Sequence, residues 1–379
     1  MLRLYLRFSL LVLLSSIEVA SLTQAQVSNS PVLLVDNSEN QEQCSSDPSL
    51  LNYPCFSTIQ AAVNHSLSRA FASSFILILP TNKPYEGFSV IFGKLRSLLI
   101  QGFRGTPIIQ GRISLEGGDW IIMLKDLQLQ GPGPLITMGL IGDAPPLFAR
   151  LDGIIADASG TAVSVRQAVS LEITNSWFSG DGRSGCGLEL GDGIISVSDT
   201  GIEGFEKGIC DRSSPHEKPR IITLSKVNIS YNRDRGVELE KAGLQQYVSI
   251  SIMQSTIMDN GLDGLYLENV DSGSIVGNTI KGSKRSFEGL YNGLFVHARG
   301  TGGGVVSVER NDIMNFAFGI KVNGPGLVDI SYNTIRGYRF CGVDNSLGRV
   351  SGWGNVIEDV PGAKALCPSP DRFPPGFRR

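Results

Sequence analysis

With 379 residues, 41% of them hydrophobic and 18% charged, the chain is long enough to bury a large core and too apolar for a disordered polymer. Glycine fills 45 positions without a three-residue period, which excludes collagen and favours a turn-rich β architecture. A formal net charge of −3, no Lys/Arg block longer than a pair and three histidines without CxxC spacing argue against a nucleic-acid partner and against a zinc site.

Residues 1–25 carry Arg3 and Arg7, an apolar run from Phe8 to Ser16 and a small, polar end at Thr23, Gln24 and Ala25, the layout of a cleaved signal peptide. The run is about half the roughly 20 residues of a membrane span, and no later segment reaches that length. The mature chain is therefore expected without a transmembrane span, in a secreted location, extracellular or periplasmic. Export places six cysteines in an oxidising compartment. Their spacing suggests Cys44 with Cys55, Cys186 with Cys210, and Cys341 with Cys367. Asn64-His65-Ser66 and Asn228-Ile229-Ser230 are glycosylation sequons.

Residues 26–74 form an N-terminal segment in which Ser57-Thr58-Ile59-Gln60 reads as a capping box. Apolar Ile59, Val63, Leu67 and Phe71 follow at helical spacing. This predicts an amphipathic helix that covers the end of what comes next. Strands are expected at Phe75 to Leu79, Leu98 to Gly102, Ile108 to Gly111 and within Trp120 to Leu129.

From residue 150 onwards the chain repeats. Copies read ITNSWFSG from Ile173, VSDTGIEG from Val197, IMQSTIMD from Ile252, IVGNTIKG from Ile275, VERNDIMN from Val308 and ISYNTIRG from Ile330. The apolar anchors Phe178, Ile202, Ile229, Ile257, Ile280, Ile313, Ile335 and Ile357 are separated by 24, 27, 28, 23, 33, 22 and 22 residues. After each of several anchors comes a glycine and an alternating strand, as in Gly236-Val237-Glu238-Leu239 and Gly264-Leu265-Tyr266-Leu267. Two short strands per repeat cannot bury a face alone, whereas stacked coils share one apolar interior. The pattern predicts an all-β, right-handed parallel β-helix of about eleven coils over residues 75–360, with a Pro-rich tail at 361–379. Leu188, Leu239, Leu267, Val296 and Val322 are expected to share an interior row. Asn278, Asn311, Asn333 and Asn355 stand two residues before successive anchors. Since Asn tolerates left-handed turns and can pass amide hydrogen bonds between coils, they predict an asparagine ladder.

The coil length, the G-[ILV]-x-[ILV] strand and the N-x-I turn resemble the right-handed parallel β-helix proteins of the pectin-lyase-like superfamily. FSTIQAAV, FILILP and KPYEGFSV likewise resemble the N-terminal run of pectin methylesterases. The resemblance implies lyase, hydrolase, esterase or epimerase chemistry on acidic polysaccharides. Catalytic motifs depart from it: Gln167-Ala168-Val169-Ser170-Leu171 looks like a methylesterase Q-A-V-A-L segment, yet that family's Q-D-T-L and D-F-I-F-G segments have no counterpart. Those of polygalacturonases and pectate lyases are missing too.

Aligning the strand glycines gives two outward rows. Glu189, Glu238, Tyr266, Phe295, Lys321 and Asp344 stand two residues after the glycines, and Glu240, Glu268, His297 and Asn323 stand four after. Glu240, Glu268, His297 and Arg299 are the candidate catalytic residues, acids and bases at matching positions; Glu238, Tyr266, Phe295 and Lys321 are candidates for substrate binding. A Glu240–Glu268 pair would suit Ca²⁺ as cofactor. The insertion at Gly282 to Gly289 would wall a groove beside them. Two functions stay open: a secreted protein that binds and processes polysaccharide, of lyase, hydrolase or epimerase type, or a non-catalytic extracellular or surface module that binds glycans or proteins.

Overall fold

The computed structural model describes residues 30–69, 73–91, 97–118, 121–139, 147–166, 169–211, 219–240, 246–300, 303–368, 373–374 and 377. The stretch expected to be a signal peptide, Phe71, Gln167 and Ala168 lie outside them. Each coil contributes three short parallel strands. In one coil these are Val248–Met253, Thr256–Asn260 and Leu265–Val270, each paired in parallel with its counterparts in the coils before and after. We number the resulting sheets 1, 2 and 3 in that order. Sheet 2 has 12 strands, from Tyr85–Glu86 to Val356–Ile357. Sheets 1 and 3 join into one 24-stranded system, because Phe318–Ser331 and Cys341–Ser351 run unbroken round the corner between them. The whole is a right-handed parallel β-solenoid of about 12 turns. Among the described residues no helix is long and apolar enough to cross a membrane.

The sequence pattern predicts two strands per coil, and there are three because each eight-residue copy is two strands bent in the middle. The bend is a single left-handed residue: Asn175, Asp199, Lys226, Gln254, Gly277, Arg310, Tyr332 and Gly354 take φ of 50, 49, 54, 51, 67, 53, 59 and 68° in successive coils. The ladder asparagines were expected to supply these turns themselves, but the left-handed residue is the one before each of them. The asparagines instead point inward, fully buried. Asn278 Nδ2 donates to Asn311 Oδ1 at 2.9 Å, Asn311 Nδ2 to Asn333 Oδ1 at 2.9 Å, and Asn333 Nδ2 to Asn355 Oδ1 at 3.1 Å. In earlier coils the same place is taken by Ser176, Thr200 and Ser255, and the Ser255 N–H donates to Asn278 Oδ1 at 2.9 Å. A second amide pair, Asn232 to Asn260 at 2.9 Å, holds the opposite corner.

The glycine that opens each sheet 3 strand makes room for the anchor of the next coil. A Cβ on Gly236, Gly264, Gly293 or Gly319 would lie 2.8, 2.5, 2.4 or 2.4 Å from Cγ2 of Ile257, Ile280, Ile313 or Ile335. This is why glycine and isoleucine recur together. Leu239, Leu267, Val296 and Val322 form one buried row, while Leu188 falls in the adjacent row with Ile209 and Val237.

Both ends are covered. The helix Ile59–Ser68 buries Ile59, Ala62 and Val63, and its N-cap is Thr58, whose hydroxyl accepts the Ala61 N–H at 3.1 Å. Gln60 leaves the expected box and grips Ser89, accepting its N–H at 2.8 Å and donating to its carbonyl at 3.0 Å. At the far end Phe373 and Phe377 are buried against the last coil, and Asn355 Nδ2 donates to the Phe377 carbonyl at 3.3 Å. All three disulfides pair as the spacing suggests. Cys44–Cys55 tightens the N-terminal segment, whereas Cys186–Cys210 and Cys341–Cys367 join neighbouring strands of sheet 3 with Cα–Cα distances of 5.9 and 6.2 Å.

Candidate functional site

Pairing register arranges the outward side chains of sheet 3 in rows. Glu189, Cys210, Glu238, Tyr266, Phe295, Lys321, Asp344 and Cys367 occupy equivalent positions in successive coils. Two disulfides thus bracket the stretch from Glu238 to Asp344. Two residues further along the strands stand Glu240, Glu268 and His297, with Asn323 opposite His297 in the ladder.

Arg235 is the hub. Its Nη1 and Lys207 Nζ both bind the buried carboxylate of Glu238. Its Nε donates to Asp263 Oδ2 at 2.9 Å, and its Nη1 lies 3.8 Å from Glu240 Oε1. Asp263 in turn accepts the Asn292 backbone N–H at 2.7 Å and Nδ2 at 2.8 Å. Burial opposes the Arg235 charge, yet Glu238 and Asp263 outweigh it and hold the guanidinium above its ordinary pKa. Arg235 also lies 3.9 Å from the centroid of the Tyr266 ring, from the coil below. Phe295 stacks on the other side from the coil above, at 4.5 Å and 10°. Both faces of Tyr266 are therefore occupied, and what it offers to solvent is its edge and hydroxyl. Burial, followed by the charge of Glu268, raises its pKa.

Beside this clamp, His297 Nδ1 lies 3.9 Å from Glu268 Oε1, with side-chain exposures of 30% and 34%. Glu240 is more open still. Neighbouring strands thus place a carboxylate and an imidazole together at the edge of Tyr266, open to solvent.

Under the corner between sheets 3 and 1 runs a buried ionic chain. Arg220 Nη1 lies 2.5 Å from Asp211 Oδ1 and its Nη2 3.6 Å from Asp192 Oδ1, while Gln246 Nε2 donates to Asp192. Burial pushes Asp211 up to about 6; Arg220 opposes the rise, and Asp192 and Glu240 add to it.

The architecture is shared with solved structures. The A-module of the Azotobacter vinelandii mannuronan C-5 epimerase AlgE6 matches with a TM-score of 0.53 and 16% identity, over 80% of this chain and 94% of that one. A mannuronic-acid-specific family 6 polysaccharide lyase from human gut microbiota matches with a TM-score of 0.51 and 13% identity, over 83% and 82%. Pectate lyase Pel9A matches with a TM-score of 0.50 and 12% identity, over 88% and 80%. What the chain shares with them is the fold, a right-handed parallel β-helix. No family model matches the sequence, and no curated protein does.

Within this β-helix frame the predicted residues divide. Glu240, Glu268, His297, Tyr266 and Phe295 come together on sheet 3, with Lys321 next along the row, where its Nζ lies 5.3 Å from the Phe318 centroid. Glu238 is buried beneath two cations. Arg299 is drawn elsewhere: its Nη2 binds Asp271 Oδ1 at 2.9 Å and the Gln246 carbonyl at 3.0 Å, in the same corner as the Asp211 chain. Ca²⁺ fits poorly. Among the described residues no three His, Cys, Asp or Glu side chains gather for a metal. Glu240 and Glu268 each face a base already, against the roughly six to eight oxygens that Ca²⁺ takes.

The sequence reading missed Lys207, Arg235, Asp263 and Asn292. A signal existed, because each stands immediately before a strand glycine, Gly208, Gly236, Gly264 or Gly293, as do Cys186 and Cys341. That position is a third outward row, one that counting only forward from the glycines passes over.

Proposed function

We propose that the chain binds a polysaccharide along sheet 3 and processes it by proton transfer, with Glu268 and His297 as the proton-moving pair and the Tyr266 hydroxyl beside them. The observation that carries this reading is the solvent-open Glu268–His297 pair at 3.9 Å, built on adjacent strands against a clamped phenol. A base and an acid on neighbouring rigid strands meet the geometric requirement for general acid–base work. The polysaccharide is supported by the fold it shares with an epimerase and two lyases. Lyase or epimerase chemistry suits the site better than hydrolysis, because the close pair here is a carboxylate and an imidazole, whereas glycosidases work with two carboxylates. Secretion is part of the proposal, supported by three disulfides and the residue 1–25 pattern.

One feature favours a second reading, a non-catalytic module that binds glycans or proteins: Glu238, Arg235 and Tyr266 saturate one another as a purely structural network would. A polysaccharide panel, run at several pH values with and without Ca²⁺, separates the two. Unsaturated products or altered sugar stereochemistry support processing, binding without products supports the module, and silence on every glycan removes both polysaccharide readings.

A further inference from the structure

On sheet 2, away from the Tyr266–Phe295 face, Ile155, Trp177, Gly201 and Asn228 follow one another in the first outward row, one per coil. Gly201 has no side chain, and the Trp177 indole covers the bare backbone: a Cβ on Gly201 would lie 2.2 Å from Cε3 and 2.3 Å from Cζ3. The ring thus leans toward Asn228, and its outer surface stays open, since Trp177 is 40% exposed and Ile155 beside it 46%. Two residues further along the strands, Asp157, Ser179 and Glu203 form a parallel row of hydrogen-bond acceptors.

Asn228 opens the strand Asn228–Ser230 and is the asparagine of the Asn-Ile-Ser sequon. Its Oδ1 is buried with no hydrogen-bond partner among the described residues, which leaves Nδ2, the atom that a glycan is joined to, at the surface. Ser230 is 2% exposed, so a transferase that reads its hydroxyl reaches it only before this coil closes. The folded coil then has to make room for the sugar. The side-chain-free place at Gly201 does so, and it puts the indole one ~4.8 Å strand spacing from the asparagine. The other sequon is placed differently: Asn64 lies inside the helix Ile59–Ser68, where its Oδ1 accepts from Gln60 Nε2 at 2.9 Å.

We propose that Asn228 is an N-glycosylation site and that the first sugar of its glycan stacks on Trp177. The donor is an oligosaccharide carried on a polyprenyl diphosphate. Nδ2 bonds to the anomeric carbon as the bond from that carbon to the diphosphate oxygen breaks; the lipid diphosphate leaves, and the amide proton passes to a base of the transferase. A pyranose ring offers the indole a face of C–H bonds, while its hydroxyls can donate to Asp157, Ser179 and Glu203. The inference rests on the export part of the proposed function and is independent of the polysaccharide. Its test makes the full chain, with its own residues 1–25, in a eukaryotic secretory host and maps the glycan by mass spectrometry of peptides with and without peptide N-glycosidase. The wild type is expected in the medium with Asn228 modified, a modification lost in Asn228→Gln and kept in Trp177→Ala and Asn64→Gln. The wild type should melt about 2 °C or more above Asn228→Gln. That gap should shrink by about half or more in a Trp177→Ala background and vanish when the same pair is made unglycosylated in a bacterial host. Export with Asn228 unmodified overturns the site alone. A gap that is the same without Trp177, or the same without the glycan, overturns the stacking. Retention of the chain inside the cell overturns the export reading, and the site falls with it.

Discussion

A Cβ on Gly264 would stand 2.5 Å from Ile280 Cγ2, so the glycine of one coil is the socket for the isoleucine of the next. The backbone closes the other side, with the Gly293 carbonyl at 2.7 Å. Gly264→Ala is therefore expected to cost about 3 kcal/mol through overpacking. Gly277 has open space around its missing Cβ and only its φ of +67° to defend, so Gly277→Ala should cost about 1 kcal/mol. Urea midpoints of the two variants check the order; equal losses would mean that the socket does not constrain the coil.

Interrupting the amide ladder should hurt more in its middle than at its end. Asn333→Ala takes the acceptor from the Asn311 backbone N–H and Nδ2 and one of two donors from Asn355 Oδ1, all buried. A loss of about 2 to 4 kcal/mol is expected, since each stranded group carries its own desolvation cost. Asn355→Ala takes the same acceptor from the Asn333 N–H and Nδ2, but beyond the ladder it releases only the Phe377 carbonyl, bonded at 3.3 Å, and should cost less. Thermal melts of the two variants measure the difference.

At the candidate site, Tyr266→Phe keeps the ring between Arg235 and Phe295 and should leave stability within about 0.5 kcal/mol, while removing the hydroxyl. Tyr266→Ala opens the clamp and should cost roughly 3 kcal/mol. Any glycan-processing rate found in the panel should fall by about a hundredfold in Glu268→Gln and in His297→Ala. Variants that keep wild-type rates would return Glu268 and His297 to the role of solvating an exposed sheet.

Asp211 gives the chain a preference for mild acid. Its folded pKa is raised from 3.8 to about 6, so its contribution to stability is full below about pH 4 and is lost as pH rises through 6. The loss is on the order of 2 to 3 kcal/mol. Asp211→Asn, which stays uncharged beside Arg220, should flatten the fall in melting temperature between pH 4 and 7. A variant as pH-dependent as the wild type over that window would show that the chain beneath the corner titrates elsewhere.

The coil was legible because its two strongest constraints leave residues at fixed places. The anchor isoleucine and the strand glycine touch each other, so neither varies freely, and Asn278, Asn311, Asn333 and Asn355 must match to hydrogen-bond at all. The three-strand coil was harder to see. Gln254, Arg310 and Tyr332 all turn the chain at the left-handed corner, and none is a turn residue by type. The site was legible as rows and illegible as contacts. Glu268 and His297 meet because each follows the paired Leu267 and Val296, just where the register shifts, whereas Arg299 turns away to Asp271, which spacing does not encode. The Tyr266 clamp depended on Arg235, whose place before a glycine carries no chemical signature of its own.

The corner between sheets 1 and 2 is one left-handed residue in coil after coil, from Asp126 to Gly354, and it leaves no room for extra chain. Differences in coil length therefore accumulate at the two corners that flank sheet 3, where the Lys284–Glu288 helix and the Gly300 turn are found. The molecule is divided along its length into a spine that resists insertion and a rim that accepts it. New segments grafted between Gly282 and Asn292 should reshape what the sheet 3 face recognises while the amide stack behind it continues to set the register.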